Sequence, residues 1–459
     1  MLSLLDVAER AQRGHFMEEK DWDLALFKKV TELVRKYELK YPGDGSWFNT
    51  DDDLVERAFQ AGIDFIVEQG VYCMNGKVVH FSRNEVMAAL KEVPNRVVVG
   101  EGRDARVLTQ KKIEGTEPPN VRAGHHAPFT EDLAPLVVKN FAQLPFGDYI
   151  EGFNFAVVDG REIYGMPLEV YAAKRQLFWM REGVRKAGRP GMAIAYYPIN
   201  TRAAVLIAPI DPDYGLRRTD GILLSILPGV KFEIDLLTAA IVYDDYGCFK
   251  VNGGGRSQVG GFCGGPEGAI VEAVAKPIVG WMCYKDTFSY AGVGHILATT
   301  AKHFANYQPI INWASSVACQ ALNTKTKMVL FDGPQSLASG PGRETYLIEL
   351  AVAGIHAATN GLGLSSIRQG RARMNAAQTP LDHEWAYSVA CATMNARIKR
   401  PQAGEIVARL AKKLEGRQPE PGMDIRECYD LVRHQPSADY DRKRQVLQDE
   451  LASWGLVFD

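Results

Sequence analysis

The stretch from Asp148 to Tyr197, DYIEGFNFAVVDGREIYGMPLEVYAAKRQLFWMREGVRKAGRPGMAIAYY, decides the fold. It opens on a short apolar run, DYIEGF, and closes on another, GMAIAYY, with a long amphipathic segment between them. Pro167 suits the first turn of that segment, where its missing N–H costs nothing, and Gly188 suits its stop, where the chain leaves the helix. A strand, a helix and a second strand in this rhythm make a parallel βαβ unit.

The rhythm continues in both directions. Runs that read as strands are NVRAG, DYIEGF, GMAIAYY, GILLSIL, CFKVN, IVGWMCY, KMVLF and GLGLSSI, separated mostly by amphipathic helices such as RETYLIELAVAGIHAATNG, which stops at Gly361. Eight βα units predict a (β/α)8 TIM barrel, with an open doubly wound sheet as the alternative. The expected division is an N-terminal helical layer over residues 1–95, the barrel over 96–400 and a C-terminal helical extension over 401–459. In the first layer, Leu26, Val30, Leu33, Val34 and Tyr37 share a helical face. Thr50 is the expected cap of the next helix and Ser82 that of a third. Asp382 is expected to cap a helix opening at His383–Glu384, and Ser437 the last helix.

Bulk composition narrows the function. The 459 residues are 46% hydrophobic and 24% charged, with a formal net charge of -2, so a strongly basic nucleic-acid binder is excluded. No apolar run reaches the roughly 18 residues of a spanning helix, and the N-terminus lacks the pattern of a secretory signal. Seven cysteines without paired spacing point to the cytoplasm, and no zinc motif is present, so no metal is expected.

In a barrel, chemistry collects where the strands end. Those positions offer His125 and His126, Glu151, then Tyr196, Tyr197 and Asn200. Farther along come Asn252 in a glycine-rich loop, Cys283 to Asp286, Asp332 with Gln335, and Arg368 with Gln369. Each has a plain structural reading: surface histidines, a local Lys285–Asp286 ion pair, a core cysteine, turn glycines. Glu151 stands out because an acid between apolar residues must be paired or solvated. Tyr196, Tyr197, Trp281, Tyr284, Phe288 and Tyr290 cluster at two expected strand ends, an arrangement suited to an alkylammonium cation held by cation–π contacts.

Several strings match one family in order and spacing: DWDL near the start, GRDA at 102–105, EVYAAK at 169–174, AGRPGM at 187–192, GGFCGG at 260–265, SGPGRE at 339–344, then ECYD and WGLVFD. Along nearly its whole length the chain resembles the monomethylamine:corrinoid methyltransferases, which carry pyrrolysine. The resemblance implies a (β/α)8 barrel and a homo-oligomer, a hexamer by that likeness. It also implies a cognate corrinoid protein that brings cobalamin to the barrel mouth, with none tightly bound to this chain. The family's pyrrolysine follows the GRPGM-type stretch by three residues, which lands on Ala195. Alanine supplies no imine, proton or nucleophile. Two glutamates of the family's pocket also have no match, since Leu224 and Ser225 stand near one and Gly253 or Gly254 near the other. Of the family's polar pair before SGP, Gln335 alone remains, after a shift.

These departures argue against methylamine as the small-molecule donor. The first expectation is a pyrrolysine-independent, corrinoid-dependent methyltransferase acting on an already activated donor, such as a quaternary ammonium. In it Glu151, His126 and Gln335 act as catalytic groups, and Ala195, Tyr196, Tyr197, Tyr284, Asp286 and Asn252 line the donor site. The alternatives are a barrel enzyme of another class, using His125, His126, Glu151 and Asp286 for acid–base or metal-assisted chemistry, and a non-catalytic assembly protein.

Overall fold

In the structure, a computed structural model, every residue is described except 1, 125–128, 166, 198–201, 255, 300–302, 333–336, 366–373 and 377. Eight parallel strands form one sheet with neighbours in chain order. They are β1 (Arg122–Gly124), β2 (Tyr149–Glu151), β3 (Ala193–Tyr196), β4 (Gly221–Leu224), β5 (Phe249–Asn252), β6 (Phe288–Tyr290), β7 (Val329–Asp332) and β8 (Gly363–Leu364). A parallel bridge between Val121 and Leu364 closes β8 onto β1, with the Leu364 amide donating to the Asn120 carbonyl at 2.7 Å. The sheet is therefore a barrel, and the open-sheet alternative is set aside.

Seven of the eight expected strands stand where the sequence placed them. The exception is IVGWMCY, which is the end of helix α8 (Pro266–Tyr284), and the sixth strand is instead Phe288–Tyr290. Every residue of α8 from Gly268 to Tyr284 is buried. A helix apolar on all sides carries no 3.6-residue signal, so a short piece of it reads like a core strand.

The remaining long helices form the outer layers. They are, in chain order, α1 (Leu4–Arg13), α2 (Glu19–Lys36), α3 (Asp52–Glu68), α4 (Arg83–Glu92), α5 (Ala134–Ala142), α6 (Leu168–Lys186) and α7 (Ile234–Tyr246) before α8. After it come α9 (Pro309–Lys325), α10 (Glu344–Asn360), α11 (Pro380–Asn395), α12 (Arg400–Lys412) and α13 (Ala438–Ser453). Helix α3 packs on both α8 and α9, and α10 on α11, so the N- and C-terminal helices share one core with the barrel helices. Ser82 and Ser437 cap α4 and α13 as expected. Two caps are corrected: Asp51, not Thr50, caps α3, and Thr379 holds the N-cap position of α11, its backbone amide donating to the Asp382 carboxylate at 2.7 Å.

Strand parity divides the core in two. Ile150, Ile194, Tyr196, Ile222 and Leu224 face the helices, whereas Tyr149, Ala193, Ala195, Leu223, Val251, Phe288, Tyr290, Val329 and Phe331 fill the lumen. An antiparallel hairpin, Arg96–Val99 with Arg106–Thr109, stops the N-terminal end of the barrel with Val99 and Leu108. Backbone bonds from Gly100 to Thr219 and from Glu101 to Gly191, at 3.0 and 2.8 Å, hold the hairpin against the starts of β4 and β3.

Candidate functional site

The lumen is layered. Its floor is aromatic: Tyr149, Phe249, Phe288 and Phe331 pack with ring centroids between 5.3 and 6.3 Å apart. Gly221 makes this packing possible, because a Cβ there would stand 2.1 Å from the Phe249 ring. Above the floor the lumen becomes polar. Glu151, the last residue of β2, is 1% exposed and accepts from the Tyr290 hydroxyl at 3.0 Å. The same carboxylate oxygen accepts from the Arg122 guanidinium, which rises from β1.

Removing two charges from water is costly unless each neutralises the other, and here Arg122 and Glu151 do so. The Arg122 guanidinium also lies 4.6 Å from the centre of the Tyr290 ring, and that of Arg256 lies 5.9 Å from it. Arg256 comes from the loop after β5 and donates to the Ser365 hydroxyl at 3.3 Å, just beyond β8. Its loop is anchored from beneath: the buried Lys276 ammonium donates to the Arg256 carbonyl at 2.6 Å and lies 3.7 Å from Glu272. Burial draws the Lys276 pKa down, and Glu272 opposes that shift.

Ala195 belongs to this upper layer. It is fully buried, faces the lumen from β3 and stands in register with Glu151. Its methyl group leaves the wall beside the ion pair chemically inert. Tyr197 follows with the same parity and packs on the lumen cluster, half-buried.

Other expected site residues lie elsewhere. Tyr196 points out of the barrel, its hydroxyl donating to the Ala204 carbonyl at 3.0 Å. Asn252 faces α8: its amide donates to the Ser289 hydroxyl at 3.2 Å and the Lys276 carbonyl at 3.4 Å, and accepts from the Ile226 and Gly254 amides. Tyr284 ends α8 outside the barrel wall, where its hydroxyl accepts from the Glu233 amide at 3.0 Å. Asp286 sits before β6, at the end of the barrel opposite the mouth. Neither of its carboxylate oxygens finds a hydrogen bond among the described residues, and burial pushes its pKa well above the usual carboxylate range. These shifts have two causes, the helical reading of 278–284 and the outward parity of Tyr196 and Asn252. Trp281 likewise packs outside, donating to the Ala89 carbonyl at 2.8 Å.

His126 and Gln335 lie outside the described residues, as do His125, Asn200, Arg368 and Gln369. Among the described residues no three His, Cys, Asp or Glu side chains gather as metal ligands, and no helix is long and apolar enough to cross a membrane. Sequence reasoning missed Arg122, Arg256 and the inward role of Tyr290. A signal for Arg122 existed: it is a lone arginine in the run NVRAG, two positions before a glycine of the same parity.

The family model described as monomethylamine methyltransferase MtmB matches residues 2–456. Monomethylamine methyltransferase MtmB2 of Methanosarcina acetivorans is 27% identical over 463 residues, covering 99% of this chain and 98% of the relative. MtmB1 of Methanosarcina barkeri is 26% identical over 469 residues with the same coverage. The crystal structure of the Methanosarcina barkeri monomethylamine methyltransferase superposes with a TM-score of 0.89 at 24% identity, covering 100% of this chain and 99% of that one. A structure of the hydroxylamine MtmB complex gives the same values.

Proposed function

The chain belongs to the monomethylamine methyltransferase MtmB family, and from that premise we propose that it moves a methyl group from an activated donor to the Co(I) of a corrinoid protein without using pyrrolysine. The methyltransferase class follows the family. The observation that carries the finer reading is Ala195, an inert methyl in the lumen wall beside the Arg122–Glu151 pair.

Methyl transfer of this kind is a displacement at carbon. The acceptor brings the electron pair for the new bond, and the pair of the broken carbon–nitrogen bond leaves with nitrogen. A neutral amine leaves badly unless it is protonated or held as an adduct, and an alanine does neither. A quaternary nitrogen leaves as a neutral tertiary amine with no proton required. The protein's task then reduces to holding the donor's methyl group toward the mouth, and orientation alone accounts for a large share of such a barrier. In this reading Glu151, with Tyr290 and Arg122, sets the polarity of the pocket, Tyr197 forms part of its wall, and the donor-orienting role is assigned to His126 and Gln335, which follow β1 and β7 in sequence. Tyr196, Tyr284, Asp286 and Asn252 are left out of the pocket. The cobalamin belongs to the partner, and the chain works as a cytoplasmic homo-oligomer.

The test mixes the protein with Co(I)-cobalamin, free and on a cognate corrinoid protein, and with N-, O- and S-methyl donors. Loss of the Co(I) absorbance with a quaternary donor, and none with methylamine, is the expected result. Consumption with methylamine alone would defeat the proposal.

A further inference from the structure

The upper lumen is ill-suited to a simple cation. Among the described residues Glu151 is the carboxylate of this wall and Arg122 pairs with it, so a positive charge placed beside the pair meets attraction and repulsion of similar size. The aromatic face that would hold an alkylammonium is also spoken for, because guanidinium groups lie 4.6 and 5.9 Å from the centre of the Tyr290 ring. Arg122 is 1% exposed and Arg256 7% exposed, so both guanidiniums act in a dry environment where a charge is felt strongly. A planar guanidinium is the side chain best shaped to read a carboxylate.

We infer that the methyl donor is dipolar, carrying a carboxylate or similar anionic group beside its methylated cationic nitrogen, and that Arg122 is the substrate-positioning residue that recognises the anion. This rests on the methyl-transfer reading above. The donor's cationic end lies toward Glu151 and the Tyr290 hydroxyl, its anionic end toward Arg122, and the ligand's dipole runs antiparallel to that of the ion pair. Ala195, next to Glu151 in register, presents only a methyl group on the side where the methyl-bearing nitrogen is placed.

Three probes that share a trimethylated or tetramethylated nitrogen separate the possibilities: tetramethylammonium, choline and trimethylglycine. Calorimetric titration of the purified protein is expected to show trimethylglycine binding at least about tenfold more tightly than the other two, the scale of one charge-assisted hydrogen bond. Arg122→Lys should keep part of that preference and Arg122→Gln should erase it. The neutral double variant Arg122→Gln/Glu151→Gln serves as the control for the buried charge left by the single one, with circular dichroism reporting the fold. Equal binding of the three probes, tighter binding of tetramethylammonium, or no binding of any would overturn the inference. Consumption of Co(I) is read separately. Selective binding of trimethylglycine with no consumption from any donor would sink the methyl-transfer reading and leave the ligand class standing. Consumption with tetramethylammonium at the rate seen with trimethylglycine would do the reverse.

Discussion

At the scale of single residues the molecule turns on Glu151. Its carboxylate is held by the Arg122 guanidinium and the Tyr290 hydroxyl above an aromatic floor. Replacing it as Glu151→Gln removes the carboxylate that pairs with the Arg122 guanidinium, and breaking a buried ion pair in this way destabilises by about 3–5 kcal/mol. Tyr290→Phe removes one hydrogen bond to a charged acceptor, a loss of about 1.5–3 kcal/mol. Urea unfolding of the two variants should rank them in that order, and equal midpoints for both and for wild type would show the pair to be solvated. Ala195→Leu inserts three carbons into a packed wall, with an expected cost of about 1–3 kcal/mol and loss of donor binding. Unaltered donor affinity in that variant would remove Ala195 from the site.

Among the elements, helices α10 and α11 each bury an acid whose titration is legible. Glu349 accepts from the Ala338 and Ser339 amides at 2.7 and 2.8 Å, yet burial raises its pKa to about 8. Asp382 accepts from the Thr379 amide and the Tyr440 hydroxyl, and burial raises its pKa to about 7. Both folded values lie above the unfolded ones near 4, so between those limits the native state holds protons that the unfolded chain has released. Stability from these groups is fully present below about pH 4 and is lost as pH climbs toward 8, by up to about 1.4 kcal/mol per pH unit per group. Denaturant midpoints should therefore fall from pH 5 to pH 8, and Glu349→Gln should shrink that fall. A pH slope identical in the variant would refute the assignment. The elements also show where pattern reading succeeds. Amphipathic α1, α2 and α6 announce themselves through one buried stripe. Helix α8 does not, because it is buried all round, and Pro277 interrupts its sequence just before the run IVGWMCY that reads as a strand.

For the whole molecule, the decisive features are closure and stoppering. The lumen is a packed core because the hairpin over residues 96–109 seats Val99 and Leu108 beneath the aromatic floor. Leu108→Ala should cost about 2–5 kcal/mol through the cavity it opens, while a change at exposed Val107 should cost little; thermal melting of both variants checks the contrast. If the two melted alike, the hairpin would be an ornament of the barrel and not its base.

Much of this architecture was written in local pattern. Short apolar runs between glycine-stopped helices specify parallel βα units, and eight of them leave few ways to close other than a barrel. The acid at 151, the alanine at 195 and the family strings were equally plain, since each depends on identity and spacing along the chain. What local pattern could not decide was which residues meet. A one-residue difference in parity sends Tyr196 outward and Ala195 inward, and the helical reading of 278–284 moves Tyr284 and Asp286 away from the mouth. Arg122, Glu151 and Tyr290 stand 29 and 139 residues apart in sequence and come together only because the barrel closes. Sequence determined the scaffold through short-range periodicity; tertiary structure decided the site, because its charges are neutralised across strands and not along them.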